Sequence, residues 1–499
     1  MPNAVDFNGR PFHFIGIGGI GMSALAYILT RQNLPVSGSD LRLTHITRRL
    51  QEAGAHIFWQ QEGANLSHFL NFTPQSQDQG RLDTPPTPPQ VICSTAIDDQ
   101  NLEYRAALEM GCPIFHRSDV LASLITRYSS IAVAGTHGKT TTSSMIGHML
   151  IATGLDPTIV VGGEVESWGG NARLGQGPYL VAEADESDGT LAKLSAAIGV
   201  VTNIELDHTD HYHTLEDVVK IFQTFQRQCQ VLVASLDCEV LRANLTADLT
   251  YSLNSQLGAT YHASDITFDP QGTTAVVWER GQRLGTLNLQ VLGHHNLSNA
   301  LAAVAVGRHL GLTFAAIAEG LSKFCGARRR FELRGHYGGI QFVDDYAHHP
   351  SEIRATLAAA QLRIGASGVS NLSEDLSDTQ LSRVVAVFQP HRFSRTAALL
   401  QDFGQAFEDA DQVILADIYS AGEVNTYGIS GQQVAEVVAS QHSGVVYSPT
   451  LEEVQSTLFS SLRPGDLVLF MGAGNLNQII PQVMDYYGKN QLTSLQEVC

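Results

Sequence analysis

Gly135, Gly138, Lys139 and Thr140 stand together in IAVAGTHGKTTTSSMIGHML, residues 131–150, and their types and spacing suit a phosphate group. The glycines let backbone amides turn toward one point. A following helix N-terminus adds partial positive charge, and Lys139 adds a full one. Thr140 can offer a hydroxyl to magnesium. The common phosphate loop reads G-x-x-x-x-G-K-[ST], whereas here Gly135 precedes the Gly138-Lys139-Thr140 core by only three positions. The plain alternative is a glycine-rich strand-to-helix turn with a solvated lysine.

A second glycine loop opens the chain, in PFHFIGIGGIGMSALAYILT, where Gly16, Gly18 and Gly21 fit G-x-G-x-x-G. The next strand, in LPVSGSD, ends at Asp40, the acid about 20 residues on that a dinucleotide fingerprint requires. A nicotinamide dehydrogenase is therefore one reading. It needs only this first loop, whereas two phosphate loops imply two phosphorylated ligands.

Acids and imidazoles follow two apolar runs. PYLVAEADESD ends in Glu183, Asp185, Glu186 and Asp188, of which Glu183 is the favoured magnesium ligand and the others are alternatives. AAIGVVTNIELDHTDHYH ends in Asp207, His208, Asp210, His211 and His213. That density also suits a zinc or dinuclear metallohydrolase. His208 is expected as a magnesium ligand, and His211 and His213 as local or surface groups. Cations come later: Arg330 at a domain junction, then QPHRFSRT with His391, Arg392 and Arg395, an arginine pair able to grip carboxylate or phosphate.

The elements that position these groups alternate strand with helix. In open parallel sheets the ligand crevice lies at the carboxyl ends of the strands, so those terminal residues should face one site. At 499 residues, 43% of them hydrophobic, the chain is long enough for about two to four domains with buried cores. Thirty Lys and Arg against 49 acids give a formal charge of -19, which argues against nucleic acid as the main partner. Six cysteines without a C-x-x-C pair argue against a disulfide framework or structural zinc. No signal-peptide pattern or long apolar run appears, so a cytoplasmic protein without a membrane partner is expected. A proline-rich stretch (71–90) and a Ser/Asp-rich one (365–380) read as loops.

GIGGIGMS, AGTHGKTTT, EADESD, TNIELDHTDHY, LGHHNLSNALAA, RRFE, VDDYAHHP, FQPHRFSRT and GAGN, in that order from about Phe12 to Asn475, resemble the Mur ligase family. The resemblance implies three α/β domains. A Rossmann-like UDP-sugar domain spans 1–126, a central P-loop-type ATPase domain with a mostly parallel sheet 127–329, and a Rossmann-like amino-acid domain 330–499. It implies ATP-dependent, ADP-forming ligation of L-alanine to UDP-N-acetylmuramate through an acyl phosphate, for peptidoglycan precursor synthesis, by a monomer or weak homodimer. A relative that adds a peptide to the same sugar nucleotide stays open.

By the same resemblance, Gly135, Thr136, His137, Gly138, Lys139, Thr140 and Thr141 cradle ATP, and Thr140, Glu183 and His208 bind Mg2+. Asn296 and Asn299 match adenine-side positions, and Arg330 with Asp345 closes over the nucleotide. Gly18, Gly19 and Gly21 hold the UDP diphosphate. His348, Arg392 and Arg395 face the muramoyl and alanine groups and, with Lys139, make up the catalytic set. Lys220 is the nearest counterpart of a carbamylated lysine in some relatives, but its register differs and no role is expected of it.

Overall fold

A computed structural model describes residues 4–69, 87–187, 189–209, 211–269, 272–367 and 380–496. Asp188, Asp210, Cys499 and most of the two loop-like stretches lie outside these residues.

The apolar run Phe12–Ile15 is the central strand of a five-stranded parallel sheet, ordered His56–Phe58, Val36–Ser39, Phe12–Ile15, Gln90–Cys93, Ile114–His116. Such a strand is covered on both faces, hence its continuous burial. Its one polar member, His13, is buried against Ser37 Oγ at 2.8 Å and Glu103 Oε1 at 3.2 Å.

Ser129–Ala134 sits inside a ten-stranded sheet, between Tyr179–Glu183 and Ile198–Val201 and parallel to both. This arrangement brings the Lys139 loop, the acids from Glu183 onward and the TNIELDH segment to the same sheet edge. At its ends the sheet turns antiparallel, in the ribbon Tyr261–Asp269, Gly272–Glu279, Gln282–Leu289 and in the pair Thr158–Val165, Gly170–Arg173. Simple strand-helix alternation does not predict that ribbon.

The third sheet has six strands, ordered Glu332–Tyr337, Ile340–Asp345, Asp466–Met471, Arg383–Phe388, Gln412–Leu415, Val445–Tyr447, all pairs parallel except the first. The expected three-part α/β architecture is what the chain adopts.

Helix Lys139–Ala152 packs between its sheet and helix His294–His309, burying Met145, Ile146, Met149 and Leu150 completely. Each such side chain contributes about 1.5–3 kcal/mol. The phosphate loop therefore opens onto a rigid helix. One buried apolar cluster runs from the first sheet into the central one, joining Phe12, Leu29 and Leu124 to Ala134, Leu180 and Phe222. The third sheet keeps its own clusters on its two faces. Among the described residues no helix is long and apolar enough to cross a membrane.

Candidate active site

Gly135 and Gly138 lie at φ +138° and +78°. A Cβ at Gly135 would come within 2.0 Å of Thr202 Oγ1, and one at Gly138 within 2.7 Å of Asn299 Oδ1. Glycine is needed at both positions for backbone and for space. TNIELDH fixes the loop: His137 N donates to Asn203 Oδ1 at 2.8 Å, and Thr202 Oγ1 donates to His137 O at 2.6 Å. The short spacing thus still makes a held strand-loop-helix turn.

Lys139 Nζ donates to Glu186 at 2.8 and 3.0 Å and to Gly135 O at 2.7 Å. Burial would lower its pKa, but Glu186, Asp185 and Glu183 raise it, so the ammonium stays charged. Burial pushes Glu186 up to about 7 despite Lys139. Asp185 goes the other way, to about 2, because Lys139, Arg117 and His208 outweigh its burial. Thr140 Oγ1 donates to Glu183 Oε2 at 2.9 Å. One donor atom each from Asp185, Glu186 and His208 lies within 4.8 Å of the others. Burial lowers the His208 pKa, which keeps the ring neutral and its lone pair available.

This oxygen-rich set, with several carboxylates around one lysine, fits a hard divalent cation such as Mg2+. Of the expected trio, Thr140 and Glu183 pair with each other, whereas His208 groups with Asp185 and Glu186. His211 and His213 enter no such group among the described residues; His211 instead packs on the Tyr212 ring. Lys220 lies on an exposed helix face, 3.6 Å from Glu216 and 3.7 Å from Asp217.

On the other side of the loop, His137, Gly138, Thr141, Asn296, Asn299, Arg330 and Asp345 line one cavity of about 240 Å³. The residues expected at the adenine end, Asn296 and Asn299, and those expected to close over it, Arg330 and Asp345, thus share one cavity. Asn299 Oδ1 accepts from Thr142 at 3.1 Å, and Asn296 Nδ2 donates to Leu292 O at 2.8 Å. Burial raises Asp345 to about 6, although its carboxylate accepts from Phe331 N and Ala347 N. The Arg330 guanidinium lies over the Tyr346 ring at 5.3 Å.

From the third unit, Arg395 is almost fully buried and reaches across to Asp207, with Nε at 2.7 Å and Nη2 at 3.3 Å. His348 Nε2 lies 3.9 Å from the same carboxylate. Burial opposes charge on Asp207, but Arg395, His348 and His208 hold it well below the usual carboxylate range. Arg392 instead pairs with Glu423 at 3.1 Å. So the fork expected at a substrate is, in this arrangement, closed on the central unit.

At the first loop, Gly18 N donates to Asp40 Oδ2 at 2.8 Å, so the fingerprint acid braces the loop itself. Arg117, at the end of strand Ile114–His116, comes within 3.3 Å of where a Cβ on Gly21 would sit and 3.4 Å from Asp185. It links the first glycine loop to the carboxylates beside Lys139. Sequence reasoning did not single it out, although its place just past a parallel strand is the signal that found the others. The sequence offers Glu186 only as an alternative to Glu183 and Asp207 only as a member of its histidine-rich run, and does not single out Glu205 or Glu352. The partners of Asp207 and Glu205 lie in the other unit.

Family models match three consecutive stretches. The one described as Mur ligase family, catalytic domain covers residues 11–129, Mur ligase middle domain 133–307, and Mur ligase, glutamate ligase domain 329–474. Among curated proteins, UDP-N-acetylmuramate–L-alanine ligase of Nostoc punctiforme is 61% identical over 97% of this chain and 98% of its own. The Crocosphaera subtropica protein of the same name is 58% identical over 98% and 96%. Among solved structures, UDP-N-acetylmuramate-alanine ligase MurC from Thermotoga maritima superposes with a TM-score of 0.77 at 28% identity, covering 96% of this chain and 99% of that one. A murein peptide ligase from Psychrobacter arcticus, at 21% identity and TM-score 0.65, shares the fold.

Proposed function

Because the chain belongs to the Mur ligase family, we infer that it joins L-alanine to UDP-N-acetylmuramate at the expense of ATP, in peptidoglycan precursor synthesis. Near-full-length identity to relatives bearing that activity in their names carries the reading. The convergence of Lys139, a carboxylate cluster and an adenine-sized cavity at one sheet edge supports it.

We assign the sugar nucleotide to residues 1–126, ATP to 127–329 and the amino acid to 330–499. A carboxylate is a poor acyl donor. Its oxygen attacks the γ-phosphorus, ADP leaves, and the amine of alanine attacks the acyl phosphate, losing a proton as phosphate departs. Lys139, once it exchanges Glu186 for phosphate, follows the charge on the migrating phosphoryl group. Thr140, Glu183 and His208, with Asp185 and Glu186 beside them, would hold Mg2+. Bound there, the ion neutralises phosphoryl oxygens. Gly18, Gly19 and Gly21 face the diphosphate, with Arg117 alongside. His348, Arg392 and Arg395 serve the muramoyl and alanine end. Docking of the third unit excludes water that would hydrolyse the acyl phosphate. A monomer or weak homodimer in the cytoplasm suits these substrates.

Purified protein should release phosphate from ATP only when UDP-N-acetylmuramate and L-alanine are both present. Glycine, L-serine and the tripeptide L-Ala-γ-D-Glu-meso-diaminopimelate serve as competing acceptors. Preference for the tripeptide would make it a peptide ligase. Nicotinamide turnover or zinc-dependent hydrolysis without ATP would end the reading.

A further inference from the structure

A second group of ligating side chains lies apart from the carboxylates around Lys139, where the third unit meets the ATP loop. One donor atom each from His137, Glu205 and His349 lies within 4.8 Å of the others. Glu205 Oε2 is 3.6 Å from His137 Nε2 and 3.7 Å from His349 Nδ1. Four donors about 2.0–2.1 Å from a zinc ion stand roughly 3.3 Å apart at tetrahedral angles, so a small inward movement makes this a three-ligand set.

The surroundings support a metal more than a plain polar contact. His137 Nε2, which faces Glu205, is buried with no hydrogen-bond partner, and His349 is only 4% exposed. His137 Nδ1 lies 3.2 Å from Glu352 Oε1. A carboxylate behind the ligating imidazole is the partner that fixes ring orientation and tautomer in zinc sites. Ser351 Oγ donates to Glu205 Oε2 at 2.6 Å and steadies that carboxylate. His349 Nδ1 accepts only a 3.2 Å bond from Ser351 N, which a metal would replace.

We propose that His137, Glu205 and His349 form a zinc site that staples the third unit to the ATP loop and slows turnover. Two imidazole nitrogens and one carboxylate favour zinc over magnesium. The three ligands come from the ATP loop, from the segment after strand Ile198–Val201 and from the turn before helix Pro350–Ser367. The bound ion therefore resists separation of the two units. Slowed turnover rests on the ligase reading; binding does not.

Zinc is titrated calorimetrically into the full chain, without nucleotide and with excess Mg2+. One ion should bind per chain, and Co2+ in its place should show the visible absorption of a tetrahedral site. Glu205→Gln and His349→Gln should each weaken zinc at least tenfold, whereas Glu186→Gln, in the other cluster, should not. Equal affinity in all variants, or loss with Glu186→Gln alone, overturns the site. Circular dichroism checks folding. If a variant unfolds, the anomalous signal of zinc in wild-type crystals decides, since a peak away from these three residues is equally fatal. In the turnover assay zinc should slow phosphate release from the wild type more than from Glu205→Gln, each relative to its own zinc-free rate. Zinc binding without any ligase activity would overturn the ligase reading and leave the site standing.

Discussion

Lys139 has two tasks that substitution can separate. As the cation of the phosphate loop it should be worth several kcal/mol in the transition state, so Lys139→Ala should lose on the order of a thousandfold in rate. As the partner of buried Glu186 it also holds the loop, and breaking a buried pair costs about 3–5 kcal/mol. The variant should therefore melt at a lower temperature. The drop should be smaller at pH 6 than at pH 8, because Glu186, already pushed up to about 7, can take a proton. Adding Glu186→Gln should restore the melting temperature and leave turnover low; near-normal ATP-dependent turnover in Lys139→Ala would show the loop wrongly assigned. His295, in the nucleotide cavity, gives a second residue-level test. Burial, with His294 and Arg330, lowers its pKa to about 4. The folded ring resists protonation while the unfolded one titrates near 6.5, so its contribution is full above pH 6.5 and lost as pH falls toward 4. Wild-type unfolding free energy should fall more steeply across that window than that of His295→Gln, by up to about 3 kcal/mol; parallel curves would show that His295 is not the group.

Strand ends were the legible part of the site, because apolar runs closing in Gly-Lys-Thr, Glu or Asp-His report both where a parallel strand stops and what faces the crevice. Glu183, Thr140 and His208 are picked out this way, and the glycine loops fix their own positions through backbone need. What stayed hidden was pairing between units. Nothing near Asp207 in sequence marks it as the counter-ion of Arg395, 188 residues away, and the local run could not rank Glu186 above Glu183 for burial. Arg117 escaped because it lies in neither glycine loop, although the fold puts it beside Gly21 and Asp185. The Arg395–Asp207 fork also changes how helix Phe393–Ala398 is tested. Arg395→Lys keeps the charge and loses the planar grip. It should impair ligation while ATP binding to the open enzyme stays nearly unchanged. If the helix acts by closing the units, Asp207→Asn should reproduce that defect. If Arg395→Lys alone raises the KM for L-alanine, the guanidinium leaves Asp207 to meet the substrate. A selective loss of ATP affinity in either variant contradicts both roles.

The three units are not joined alike. The first and central units share one buried apolar cluster, whereas the third keeps separate cores. Beside the active site the third unit meets the central one through polar contacts: Arg395 to Asp207, His137 to Glu352, and Ser351 to Glu205. Shared apolar area makes two units melt together, because neither can unfold without exposing the other's core. Polar contacts at a seam can be exchanged for water at far lower cost, which suits a unit that must open to admit substrates and release product. The whole chain should therefore unfold in two calorimetric steps. One belongs to the third unit, and the other, of larger enthalpy, to the first two together. Asp207→Asn breaks the seam without touching either core, so it should lower the third-unit step and leave the larger one within a degree or so of wild type, given that about 1 kcal/mol moves Tm by ~2–4 °C at this domain size. A single transition that moves as a whole with Asp207→Asn would show the third unit to be locked onto the others. Domain opening could not then be the motion that gates the reaction.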